Sequence, residues 1–268
     1  MKYIDVSEHQ GTINWEKVKP NIDGVIIRAG YGQNNADKTF LYNVSECNRL
    51  GIPCGAYWFS YALDVVMAKY EAQYLLAAVK PYKMELPLAF DFEYASADYA
   101  KKRGIAVTME RVSNMARAFC ETIEGAGYYV LNYTNADYLD RFYDDDVEKR
   151  FGIWLASWPA AKVYDISKPP RNCQIWQHSC TGRVPGISGN VDLDESYHDF
   201  KSIIANAGLN NLKPKPIDPV EDAMKWARSC HIVDDSMENV EQFALMLWRY
   251  NAMKSNEDYQ YGSGALSD

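Results

Sequence analysis

The sequence predicts an α/β fold: a parallel barrel that begins as regular β/α units and ends in strands joined by short loops, followed by a small helical module. Three observations carry this expectation. Eight short β-rich runs recur between residues 3 and 193. The first five are separated by stretches long enough for helices, whereas the last three stand too close together for full helices between them. Strands alternating with helices pair in parallel through right-handed crossovers, and about eight such strands can close a barrel. After about Gly208 the character changes to a proline-punctuated stretch and then to amphipathic helices.

The β-rich runs cover 3–6, 25–29, 54–59, 88–92, 128–132, 153–156, 174–177 and 191–193. Between the third and fourth, Val65, Ala68, Ala72, Leu75, Leu76 and Val79 recur at helical spacing and predict a helix over 65–79. Over 107–123, Val112, Met115, Ala116, Phe119 and Ile123 share one helical face. The barrel is therefore assigned to 1–208. Pro214, Pro216 and Pro219 mark 209–219 as a semi-rigid linker. In 220–254, Ala223, Trp226, Ala227 and Cys230 share one face, as do Val240, Phe243, Ala244 and Leu247. Two such helices cannot easily bury their stripes alone, so they are expected to pack on the barrel or on a partner. The polar stretch 255–268 reads as a flexible tail.

Composition narrows the partners. Lys and Arg number 28 against 36 Asp and Glu, a net charge of −8, which disfavours a nucleic-acid partner. No run approaches the roughly 18 apolar residues of a membrane span. An acid at position 5 interrupts what would be a signal peptide's apolar core, so a cytoplasmic protein with no membrane partner is expected. The six cysteines form no CxxC pair or zinc-ligand cluster and are expected to be free, mostly buried thiols. The four histidines are too scattered for a metal site. Aromatics are in surplus at 13%, and such rings suit the flat apolar faces of sugars or a protein partner.

In a parallel barrel the C-terminal strand ends form the active face. Those positions hold Asp5, Arg28, Tyr57 with Tyr61, Asp91 with Glu93, Tyr133, Trp158, Trp176 with Gln177, and Asp192. Residues two apart on a strand point the same way, so Asp91 and Glu93 project together while Phe90 and Phe92 face the helices. Two neighbouring carboxylates in a desolvated groove titrate apart, which leaves one protonated near neutral pH and able to protonate a glycosidic oxygen. An isolated Asp-x-Glu is equally compatible with solvated or helix-capping acids, and clustered acids can hold Mg²⁺ or Ca²⁺. The company of Asp5 and Asp192 favours the chemical reading. Arg28 is expected to play a structural role, paired with Asp5 or Asp91. His178 is expected to be a hydrogen-bonded rim residue.

An ordered set of motifs carries a resemblance over roughly residues 1–200. It runs through Ile4-Asp5-Val6-Ser7, Gln10-Gly11, Ile27-Arg28-Ala29-Gly30-Tyr31-Gly32 and Gly55-Ala56-Tyr57-Trp58-Phe59. It continues through Leu86-Pro87-Leu88-Ala89-Phe90-Asp91-Phe92-Glu93, Trp154-Leu155-Ala156, Ile175-Trp176-Gln177 and Val191-Asp192-Leu193-Asp194. In these the chain resembles the glycoside hydrolase family 25 lysozymes, N-acetylmuramidases common among bacteriophage endolysins. The resemblance implies a TIM-like barrel of five β/α units followed by three strands. It also implies cleavage of the β-1,4 bond from N-acetylmuramic acid to N-acetylglucosamine in bacterial peptidoglycan, with no cofactor and no metal. Glu93 matches the general acid, and Asp91 the acid that orients the substrate's acetamido group. Asp5 and Asp192 match two further acids of the site. Tyr57, Tyr61, Tyr133, Trp176 and Gln177 are expected to bind sugar. Two positions depart from the family: His178 stands where a tyrosine is usual, and Asp194 where an asparagine is usual.

The helical module resembles the tails of some endolysins and, faintly, half of a surface-layer-homology repeat. Wall targeting or self-association is the expected role, and the net charge of −5 from Val220 to the end of the chain argues against simple attraction to an anionic wall polymer. The resemblance implies an endolysin kept in the host cytoplasm until release. Two rivals share the barrel. A chitinase-like hydrolase would carry a further Asp where this chain has Ala89, and a non-catalytic carbohydrate-binding protein would not need all four acids.

Overall fold

The computed structural model describes residues 1–160 and 164–212. The barrel strands are β1 (Lys2–Val6), β2 (Gly24–Tyr31), β4 (Cys54–Phe59), β5 (Leu88–Asp91), β6 (Val130–Asn135), β7 (Ile153–Ala156), β8 (Ile175–Gly182) and β9 (Val191–Ser196). They close an eight-membered ring through the β1–β2 pairing, and the short β3 (Asn35–Ala36) folds back on β2 as a hairpin. All ring pairings are parallel except those of β9, which runs antiparallel to both β8 and β1. Each of the eight expected runs falls on one ring strand.

The helices follow the first five units: α1 (Trp15–Val18), α2 (Phe40–Leu50), α3 (Val65–Val79), α4 (Tyr94–Lys101) with α5 (Met109–Gly125), and α6 (Ala136–Phe142) with α7 (Asp145–Phe151). Among the described residues no helix stands between β7, β8 and β9, and α8 (Phe200–Asn206) follows the last strand. Five β/α units followed by three strands is thus the observed architecture. The helix starts are locally encoded. Asp64 Oδ1 accepts from the Met67 N–H at 2.8 Å, and Thr108 Oγ1 from the Arg111 N–H at 3.2 Å, each satisfying a first-turn donor. α3 buries Ala68, Ala72, Leu75 and Val79, and α5 buries Met115, Ala116, Phe119 and Ile123, as the spacing predicts. No helix among the described residues is long and apolar enough to cross a membrane.

Strand alternation sorts the apolar residues into two layers. Val25, Ile27, Trp58, Phe90 and Phe92 face outward into a core shared with the helices. Each such burial removes apolar area worth roughly 2 kcal/mol from water. Tyr3, Ile26, Ala89, Leu131, Trp154 and Ile175 fill the barrel, whose N-terminal end is plugged by Phe200 and Ile204 of α8. β4 and the segment before β5 lie so close that a Cβ on Gly55 would stand 2.2 Å from the Pro87 carbonyl oxygen. The cysteines Cys47, Cys54, Cys120 and Cys173 are free and buried, and Cys180 is free and half-buried.

The barrel unit continues past the expected boundary at 208. Asn210 is 2% exposed in a left-handed conformation, φ 55°. Its Nδ2 donates to the carbonyls of Met84 (3.1 Å) and Leu86 (3.0 Å), and its Oδ1 accepts from the Tyr129 N–H (2.8 Å). Residues 209–212 are therefore part of the plugged end. The remainder of the expected linker, the helical module and the tail lie outside the described residues. With one end plugged, the C-terminal strand ends are left to form a site.

Candidate active site

The open end of the barrel holds a cavity of about 270 Å³ lined by residues from every ring strand. Asp5 enters from β1, Arg28 from β2, Tyr57 and Phe59 from β4, and Asp91 from β5. Tyr133 comes from β6, Trp154 from β7, Gln177 from β8 and Asp192 from β9. Glu93 lies beyond the end of β5, where its backbone N–H donates to Ser96 Oγ (3.1 Å) at the start of α4. Asp91 is drawn inward by the strand and Glu93 is set on the rim by the turn that follows. All four sequence-predicted acids meet here.

The geometry makes these acids reluctant to ionise. Burial and the neighbouring Asp192 charge push Glu93 from an ordinary 4.5 to about 7. Burial raises Asp192 to about 6. Asp91 is 2% exposed and is raised well above the usual carboxylate range by burial and by Glu93, against a smaller opposing pull from Arg28. Its Oδ1 has no hydrogen-bond partner among the described residues. Asp5 is raised by burial and by Asp194 and Asp192, while a hydrogen bond from Gln177 opposes. Desolvation and like charge at close quarters are the means by which active sites set carboxyl pKa values.

A hydrogen-bond relay fixes the wall. Tyr133 OH and Trp158 Nε1 both donate to Gln177 Oε1 (3.0 and 3.1 Å), and Gln177 Nε2 donates to Asp5 Oδ2 (2.8 Å). On the other side Trp154 Nε1 donates to Asp194 Oδ1 (2.7 Å). Asp194, raised to about 8 chiefly by burial, faces Asp5 with a like charge and helps to raise it. Trp154 stands edge-on to Tyr133 and Tyr57, with centroids at 4.6 and 6.0 Å.

Two sequence expectations, those for Trp176 and Arg28, need correction, while Tyr61 sits beside the mouth. Trp176 is not at the mouth: it neighbours Gln177 on β8, so the two point to opposite faces, and its indole is buried in the outer core with Nε1 donating to the Ser157 carbonyl (2.7 Å). Tyr61 lies past the end of β4 and lines a neighbouring groove. Arg28 pairs with Asp37 (2.8 Å) and Glu8 (3.1 Å), not with Asp5 or Asp91, because the β2–β3 hairpin leads the chain to Asp37 beside it. Tyr57, Tyr133 and Gln177 do line the mouth, and His178 is hydrogen-bonded at Nδ1 to Tyr164 OH (2.7 Å). Trp154 and Asp194 were not among the expected site residues. Each lies two residues from an inward-facing position on its own strand, Ala156 and Asp192, and period-two counting finds both.

Comparison with known proteins places this geometry. The family model described as Glycosyl hydrolases family 25 matches residues 4–187. The autolytic lysozyme of Clostridium acetobutylicum is 26% identical over 201 residues, 73% of this chain and 55% of the relative. Lysozyme M1 of Streptomyces globisporus is 29% identical over 201 residues, 72% of this chain and 66% of the relative. A family 25 glycosyl hydrolase structure from Bacillus anthracis superposes with a TM-score of 0.61 at 26% identity, covering 76% of this chain and 92% of that one. The chain thus spans between about half and two thirds of the curated lysozymes it matches. With a family match over most of its length, this chain belongs to the glycosyl hydrolases of family 25.

Proposed function

We propose that the chain is a peptidoglycan hydrolase, an N-acetylmuramidase that cleaves the β-1,4 bond between N-acetylmuramic acid and N-acetylglucosamine. The observation that carries this reading is the pairing of Glu93, held near neutrality with a proton to give, with a deeper Asp91 whose Oδ1 lacks a donor. Glu93 protonates the glycosidic oxygen as the C1–O bond breaks. The N–H of the sugar's acetamido group supplies the donor that Asp91 Oδ1 lacks, which sets that group beside the anomeric carbon. Water then adds at C1 and its proton returns to Glu93. Asp192 holds negative charge near the positive charge that develops, and Gln177, itself held by Tyr133, positions Asp5. Tyr57 serves the sugar as a ring face and hydroxyl donor, and Tyr133 as a ring face.

A phage endolysin, held in the host cytoplasm until release and then acting on the wall, is the role most consistent with the sequence resemblance. In that reading the C-terminal helices target the wall or associate with a second copy. The test compares wild type with Glu93→Gln on purified peptidoglycan, measuring new reducing ends and their sugar identity. Muramic-acid ends are expected from wild type, with at least a hundredfold loss in the variant. Activity surviving in Glu93→Gln sinks the acid assignment, and N-acetylglucosamine ends sink the muramidase reading.

A further inference from the structure

One fully buried carboxyl lies outside the acid-lined mouth. Glu71 stands midway along α3, 0% exposed, and does not line the cavity. No cation among the described residues pairs with it, and burial pushes it up to about 7 against hydrogen bonds from Ser60 and Tyr61 alone. Packing does not call for a carboxyl here, because its neighbours on the buried face of α3 are Ala68, Ala72 and Leu75. An apolar side chain would spare the desolvation cost. What Glu71 contributes must therefore lie in what its two oxygens hold.

They hold two successive residues of the segment that leaves β4. Ser60 Oγ donates to Oε2 (2.5 Å) and the Tyr61 N–H to Oε1 (2.9 Å). Ser60 Oγ also accepts from the Ala62 N–H (3.2 Å), which closes the turn. A carboxylate suits this place because it offers two acceptor oxygens and no donor. Both of the residues it holds reach the strand end that carries the acids. The Ser60 N–H donates to the Asp91 carbonyl oxygen (2.7 Å), part of the peptide group that joins Asp91 to Phe92 and so directs the chain toward Glu93. The Tyr61 ring packs on Tyr99 (4.9 Å) of α4, the helix that begins directly after Glu93. Segment 91–99, which carries both acids, is thus braced at two points, and both braces lead back to one carboxyl on α3.

We propose that Glu71 is a positioning residue for the reaction: acting through Ser60 and Tyr61, it fixes the placement of Asp91 relative to Glu93 without touching the glycan. The proposal rests on the reading of the mouth as a glycan-cleaving site. Its test measures kcat and KM of the full chain and of Glu71→Gln on peptide-free glycan oligosaccharides of six sugars, with thermal unfolding of both proteins alongside. Glutamine keeps the shape but sets a donor where one of the two acceptors stood, so one brace is lost. The kcat per folded molecule is expected to fall about tenfold, since a small misplacement of reacting groups from a distance costs that much, while KM stays within about twofold. Ser60→Ala removes one of the two hydrogen bonds to Glu71. It is expected to lower kcat about threefold with KM held, and it covers the case in which Glu71→Gln does not fold. A lower melting temperature with kcat per folded molecule at the wild-type value would make Glu71 merely structural and overturn the proposal. A raised KM with unchanged kcat overturns it as well, and assigns the effect to glycan binding. A wild type that cleaves no glycan overturns the reading of the mouth and the proposal with it; an active wild type matched by an equally active Glu71→Gln overturns the proposal alone.

Discussion

Glu93→Gln should remove activity and at the same time make the protein more stable, by an amount that depends on pH. The carboxyl is pushed from 4.5 to about 7 on folding, chiefly by burial and then by Asp192. A carboxyl whose pKa is raised by folding stays protonated in the native state while the unfolded chain ionises. The penalty is therefore absent below about pH 4.5, grows between 4.5 and 7, and is complete above 7. Integrated over that window it amounts to roughly 3 kcal/mol at pH 8 and under roughly 1 kcal/mol at pH 5. A neutral glutamine of the same shape avoids it. The assay is thermal unfolding of both proteins at the two pH values. At about 2–4 °C per kcal/mol for a domain of this size, the variant should melt about 6–12 °C higher at pH 8 and only about 2–3 °C higher at pH 5. An offset that does not change with pH would show that Glu93 is solvated, and the general-acid argument would fall with it.

Asp192→Asn removes a negative charge that helps hold the proton on Glu93. The alkaline limb of the kcat/KM profile should move to lower pH, with a several-fold loss at pH 8 that shrinks at pH 5; a limb that stays put would mean that the two acids do not communicate. Asn210→Ala deletes three hydrogen bonds at the plugged end and leaves a non-glycine residue in a left-handed conformation. A loss of roughly 3 kcal/mol in urea unfolding is expected, and a loss below roughly 0.5 kcal/mol would show that residues 209–212 do not brace the barrel.

Strand spacing made the barrel legible, because the first five β-rich runs start 22 to 40 positions apart, and such a pattern with helical spacing between admits few other folds. The acids were legible because strand ends in a parallel barrel share one rim. What escaped was parity. Trp176 and Gln177 are adjacent, so only one of them can face the ligand, and the choice follows from Gln177's bond to Asp5 across 172 positions. Counting inward on β7 and β9 would have drawn in Trp154 and Asp194, and the second of these reads at first as a departure from a family asparagine. Arg28's partner was hidden for a different reason. Asp37 arrives through β3, a strand of two residues that leaves no periodic signal.

The antiparallel seat of β9 beside β1 has a consequence for how the chain is made. β1 pairs with β2 early, but its other edge waits for residues Leu193 and Asp192, which lie nearly 190 positions downstream. During synthesis, a nascent half-barrel presents an open edge of unpaired N–H and carbonyl groups until its last strand has left the ribosome. Closure by a contact of such long sequence separation is slow, so the yield of native protein should depend on what shields that edge while the chain is being finished.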